Sequence, residues 1–166
     1  MHRHILYIIV IATLITPGVV RAYDTVTNPR LIQMTGDAGE QTYADVWGKT
    51  IVYIQDNPHS TDLYAHLLAA GEKRRITDSN SYPKNSSYPA IYENLVAFSA
   101  ISDANLNCDI WLYDLDANSF TRVTTDPNIQ QYPRMWGRYI VWSDWRQIEN
   151  QTISLVPAVD FLPKQP

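Results

Sequence analysis

An all-β fold is what this chain of 166 residues predicts, and three observations predict it. One strand–turn–strand pattern is written three times: Tyr43-Ala44-Asp45-Val46-Trp47-Gly48-Lys49-Thr50-Ile51-Val52-Tyr53, then Tyr88-Pro89-Ala90-Ile91-Tyr92-Glu93-Asn94-Leu95-Val96-Ala97-Phe98, then Tyr132 to Trp142. Positions 43, 88 and 132 recur with a period in the mid-forties, and 52, 96 and 141 read as matching positions of the second strand. The chain also holds 5 Trp and 11 Tyr against 3 Phe, residues that suit half-buried pleated surfaces with one polar edge. Copies of that length, with several strands each, are the mark of propeller blades. The expected architecture is a partial β-propeller with two complete four-stranded blades and an incomplete third.

The chain opens with a basic head, Met1-His2-Arg3-His4, followed by the apolar run Ile5 to Thr16, a Pro17-Gly18 break and Val20-Arg21-Ala22. That is the layout of a signal peptide over residues 1–22, with an apolar core shorter than the ~20 residues of a spanning helix. A polar linker, 23–30, leads to a strand at Leu31 to Thr35. Its Met34-Thr35 ending returns as Ile76-Thr77 and Val123-Thr124, so 31–35 matches the last strand of a blade and is expected to close the third.

The blades are expected at about 36–77, 78–124 and 125–155. After each Tyr-headed hairpin comes a third strand, Asp62 to Leu67 and then Asp109 to Asp114. Ile110 and Leu112 alternate there with Trp111 and Tyr113, which fits a strand with two different environments. Fourth strands follow at Lys73 to Thr77 and Phe120 to Thr124. Repeat two reads as one residue shorter at its first turn, Glu93-Asn94 against Gly137-Arg138-Tyr139. In repeat three, Thr152 to Leu155 reads as a degenerate third strand, and the Pro-rich tail 156–166 offers no fourth.

The pattern Tyr132-Pro133, Gly137, Ile140-Val141-Trp142, Asp144 and Arg146, with Asp109-Ile110-Trp111 and Tyr113-Asp114 and the Ile-Thr endings, resembles the TolB-like β-propeller repeat. It is especially similar to the tandem repeats of secreted and cell-surface proteins of methanogenic archaea, over about residues 31–155. The resemblance implies an exported surface module for protein or carbohydrate binding or scaffolding, without common catalytic residues. It also leaves an alternative, the propeller part of a larger hydrolase or peptidase. Pro157 to Phe161 resembles the opening of a PKD-type β-sandwich module.

Charge and motifs narrow the function classes. The net charge is -4, and without Arg3 and Arg21 the balance is 11 basic to 17 acidic residues, a poor footprint for nucleic acid or an anionic membrane. Membrane contact is expected only through the export signal. The lone Cys108 cannot form an internal disulfide and reads as a small residue before a strand. His59 and His66 have no Cys or Glu at ligand spacing, and no Ser sits in a Gly-x-Ser-x-Gly elbow, so neither zinc chemistry nor hydrolysis is supported. Asp62, Asp109, Asp114 and Asp116 lack the spacing of a calcium loop and read as solvated turn carboxylates. No cofactor motif is present.

The ligand-binding candidates are Asp144, Arg146, Trp136 and Trp145. Asp144 and Arg146 lie on one side of a strand and read as a clamp before they read as a site. Trp136, Trp145 and Tyr92 could stack on sugars, but packing between blades is the favoured reading. Asn85 and Asn150 head glycosylation sequons in expected loops. Three blades do not close a ring, so uncovered faces flanked by the strands of Ile51, Tyr53, Ile140 and Trp142 are expected to favour self-association.

Overall fold

The computed structural model describes residues 7–8, 32–78, 80–102, 106–137, 139–145 and 152–157. Most of the expected signal segment, the linker 23–30, Arg146, Asn150 and the tail beyond 157 lie outside them. The described residues form antiparallel sheets and no helix. Blade one is β3 (Glu40–Trp47), β4 (Thr50–Asn57), β5 (Ser60–Leu67) and β6 (Glu72–Arg75), in that spatial order. Blade two repeats it with β7 (Lys84–Tyr92), β8 (Leu95–Ile101), β9 (Cys108–Asp114) and β10 (Ser119–Arg122). Blade three holds β11 (Gln130–Trp136), β12 (Tyr139–Asp144) and β13 (Thr152–Pro157).

Side-chain alternation is what joins the blades. Strand residues one apart face opposite sides, and β8 divides its side chains accordingly. Val96, Phe98 and Ala100 pack against Val52, Ile54, Leu63 and Ala65 of blade one. Leu95 and Ala97 pack against Ile140 and Trp142 of blade three. Strand β9 does the same, with Tyr113 in the first interface and Ile110 and Leu112 in the second. The sequence expectation of two environments for this strand is what the packing realises.

Register corrects one reading. The first hairpins close with the pairs Trp47↔Thr50, Tyr92↔Leu95 and Trp136↔Tyr139. Each therefore has a two-residue turn, and repeat two is not shorter. Val96 corresponds to Ile51 and Ile140, and Ala97 to Val52 and Val141. Matching Val96 to Val52 slips the strand by one residue, which would turn its side chains to the wrong blade.

Within the segment 31–35, β2 (Ile32–Gln33) pairs with β1 (Tyr7–Ile8). Its far end is held at the start of blade one, where Thr35 Oγ1 donates to Gln41 Oε1 at 3.1 Å and Gln33 Nε2 to the Thr35 carbonyl at 2.8 Å. The third strand of blade three is not degenerate, because β13 pairs residue for residue with β12 from Asp144↔Thr152 to Tyr139↔Pro157. The expected tail boundary at 156 thus falls inside a strand. Ile140 and Trp142 pack on blade two. Ile51 and Tyr53, on the face of β4 opposite Val52 and Ile54, are each 1% exposed.

The repeated apolar-threonine ending has a mechanical reason. Thr77 Oγ1 accepts the Leu63 N–H at 2.8 Å, and Thr124 Oγ1 accepts the Ile110 N–H at 3.0 Å. Each threonine thus satisfies a backbone donor on the third strand of its own blade. Beside them, Arg75 Nη2 donates to Asp62 at 2.7 Å and Arg122 Nη2 to Asp109 at 2.6 Å. Asp62 and Asp109 are both 0% exposed. They are buried ion-pair partners, not the solvated turn carboxylates expected. Asp114 does serve a turn, accepting the N–H groups of Asp116 and Ala117 at 2.9 and 3.0 Å.

Candidate functional site

The innermost strands β3, β7 and β11 carry the candidate site. Each breaks register at its tyrosine, between Thr42 and Asp45, between Ser87 and Ala90, and between Gln131 and Arg134. At each break the tyrosine takes a left-handed backbone, with φ of 51° at Tyr43, 52° at Tyr88 and 60° at Tyr132. A bulky residue in that region is disfavoured by its own Cβ. The bulge compensates by turning the three rings into one file. Tyr43 and Tyr88 lie 4.6 Å apart between ring centroids, and Tyr88 and Tyr132 lie 4.4 Å apart. The Tyr88 hydroxyl meets those of Tyr132 and Tyr43, and these hydrogen bonds push its ionisation well above the usual tyrosine range.

Below the bulge the strands resume their alternation, so residues two apart share a face. Asp45, Ala90 and Arg134 form a middle row and Trp47, Tyr92 and Trp136 a lower one. Trp47 and Tyr92 touch with centroids 4.2 Å apart. Trp136, at the end of this row, is 82% exposed. A cleft of about 280 Å³ opens between the upper and middle rows, lined by Tyr43, Ala44, Asp45, Tyr88, Pro89 and Arg134.

The two charged residues of the cleft are held differently. Asp45 is engaged at both oxygens, Oδ2 accepting the Ile91 N–H of the next blade at 2.9 Å and Oδ1 the Val46 N–H at 2.9 Å. It stitches blade one to blade two, a bond that Ala90 has no group to repeat. Arg134 makes one hydrogen bond, from Nη1 to the adjacent Pro133 carbonyl at 3.1 Å, and no described carboxylate pairs with it. A guanidinium has five N–H donors, so most of its capacity faces the cleft and solvent.

The candidates read from the sequence fall apart here. Trp136 belongs to the inner-strand face, and it does not pack between blades. Tyr92 holds the matching place in the repeat and packs against Trp47 with the rings tilted by 43°. Asp144 is buried in β12, and Trp145 follows it, half-exposed, with its backbone N–H donated to the Ile129 carbonyl at 3.0 Å. Neither joins the inner face, and Arg146 lies outside the described residues. Asn85 is exposed, as a sequon needs, but it sits in the bulged start of β7 and not in a loop. Cys108 is buried, which pushes its thiol ionisation upward despite a Gln131 hydrogen bond that favours the thiolate. Tyr43, Tyr88, Tyr132 and Arg134 were legible as repeat markers but not as a surface. The signal that locates the bulge is proline after tyrosine, at 89 and 133, since proline inside a strand marks an edge or a bulge.

Among the described residues no group of three or more His, Cys, Asp or Glu side chains could hold a metal ion. No family profile matches the chain, and comparison with curated proteins finds no match. Solved structures do match. The chain is similar to TolB of Agrobacterium tumefaciens, with a TM-score of 0.59 at 20% identity, over 78% of this chain and 48% of that one. It is also similar to the β-propeller domain of the Trilobed protease from Pyrococcus furiosus, described as having an open velcro topology. There the TM-score is 0.58 at 15% identity, over 72% of this chain and 40% of that one. The chain spans less than half the length of either. Its fold is that of a β-propeller, all-β and partial.

Proposed function

We propose that this is an exported binding module of the cell surface and that its inner-strand face takes carbohydrate. The observation that carries the reading is Trp136, whose indole stands open to solvent at the end of the Trp47–Tyr92 row. A pyranose ring presents polarised C–H bonds on one face, and the electron-rich face of an indole or phenol attracts them. Exposed aromatic rows of this kind mark contact surfaces. Export is supported by the layout of residues 1–22 alone.

A glycan array probed with the full chain and with Trp136→Ala and Trp47→Ala tests the reading. Glycans retained by the wild type and released by both variants would support it. An array on which the wild type retains nothing, or on which the variants bind equally, would sink it. N-terminal sequencing of cell-derived protein tests export, with Tyr23 as the expected first residue.

A second reading, the propeller part of a larger peptidase, is favoured by the likeness to the protease propeller. Sequencing the gene beyond codon 166 separates the two: a downstream Gly-x-Ser-x-Gly domain supports the peptidase, a PKD-type segment the surface module.

A further inference from the structure

Resting on the carbohydrate reading, we propose that the ligand is an acidic oligosaccharide, one of whose uronate carboxylates is held by Arg134. The middle row decides this. Asp45, Ala90 and Arg134 occupy equivalent places in the three blades, and they differ in what they can offer a ligand. Asp45 has both oxygens committed to backbone N–H groups of the scaffold. Ala90 offers nothing polar. Arg134 is anchored at Nη1 by the Pro133 carbonyl, which fixes the plane of the guanidinium without neutralising it. Its remaining N–H groups can meet a carboxylate in the two-pronged geometry that makes such pairs strong.

The surroundings suit a sugar acid better than an acidic peptide. Arg134 stands between two aromatic rows, Tyr132 above it and Trp136 below it on the same strand. A pyranose lying on either ring places its ring carboxylate, not a flexible stem, beside the cation. The phenol file adds hydroxyl groups that can donate to the ring oxygens, and the protonated state of Tyr88 is secured by its neighbours. The cleft of about 280 Å³ accommodates a single sugar-sized group and not a folded epitope.

The test uses the full chain and pairs of oligosaccharides, galacturonate, glucuronate and mannuronate trimers, each against its neutral counterpart, by titration calorimetry at low and high salt. At least one uronate trimer is expected to bind about tenfold or more tightly than its neutral partner, with the preference shrinking as salt rises. Arg134→Gln should erase the preference for the uronate over its neutral partner. Arg134→Lys should restore only part of it, since an ammonium lacks the planar fork. Trp136→Ala should weaken acidic and neutral sugars alike. Arg134 lies at the surface, and unchanged melting curves of the variants would show that their fold is intact. Equal binding of acidic and neutral trimers, or a preference that survives Arg134→Gln, overturns the anionic ligand but leaves the carbohydrate reading standing. Failure of every sugar overturns both, and if polyglutamate then binds through Arg134 the face is an acidic-peptide site.

Discussion

Arg122 donates from Nη2 to Asp109 at 2.6 Å, and Thr124 Oγ1 donates to the other oxygen of that carboxylate at 2.9 Å. The same spacing in sequence recurs at Arg75, Asp62 and Thr77. Each set ties the last strand of a blade to the strand before it around a carboxylate that water does not reach. Removing the cation strands a buried charge, which typically costs about 3–5 kcal/mol for a fully buried pair. Arg122 is partly exposed, so Arg122→Ala is expected to cost nearer to about 2 kcal/mol, read as a lower urea midpoint.

Truncating Trp136 should separate binding from stability. Trp136→Ala is expected to change stability by less than about 0.5 kcal/mol, as exposed substitutions do. Phe98 is fully buried between blades one and two, and Phe98→Ala should cost about 3–5 kcal/mol. Parallel denaturation curves check the contrast; a large loss at Trp136 would mean that the indole is structural.

The hairpin turn of repeat two carries an avoidable cost. Gly48 and Gly137 begin the turns of repeats one and three with φ of 56° and 55°, and Glu93 takes 54° in repeat two. A residue with a Cβ is disfavoured there by about 1–2 kcal/mol. Glu93→Gly should therefore raise stability by up to about 1 kcal/mol after the flexibility of the unfolded glycine is counted. Gly137→Ala should lower it by a similar amount, although no atom obstructs the added methyl. Melting temperatures that move the other way would show that the turn relaxes differently in solution.

Alkali should destabilise the fold before any carboxylate matters. Burial, then the charge of Asp37 and the neighbouring Tyr64, raise the ionisation of Tyr53, and hydrogen bonds from Tyr132 and Tyr43 raise that of Tyr88. In the unfolded chain both lose their protons near the ordinary value of about 10. The folded state keeps them longer, so its stability is intact below that value and declines as pH climbs past it. Urea midpoints measured from about pH 8 to about pH 11 should fall across the tyrosine range. Tyr53→Phe should flatten that fall, and it also removes a buried hydroxyl with no described partner.

Fold and site were unequally legible in the sequence. The blades could be read because the repeat and the alternation of Ile110 and Leu112 with Trp111 and Tyr113 express burial directly. The register of Val96 could not be taken from the Ile-Val run, since every residue of Leu95 to Ala100 is buried and either face looks alike. The aromatic spacing from Tyr43 to Trp47, Tyr88 to Tyr92 and Tyr132 to Trp136 would have fixed it. The burial of Asp62 and Asp109 was hidden because their partners are 13 residues away. The site was hidden for a different reason. Tyrosines that recur with a repeat suggest scaffold, and only the bulges show that they are turned together onto one face.

The division of β8 between two neighbours has a consequence for how the molecule comes apart. Val96 and Phe98 belong to one interface, Leu95 and Ala97 to the other, and a single backbone carries both. Nearest-neighbour coupling of repeats normally lets an array unravel from an end. Here, stress on either outer blade reaches the central strand and is passed through it to the opposite blade. Damage confined to one blade therefore loosens its neighbour, while damage to β8 uncouples all three and replaces one cooperative transition with several.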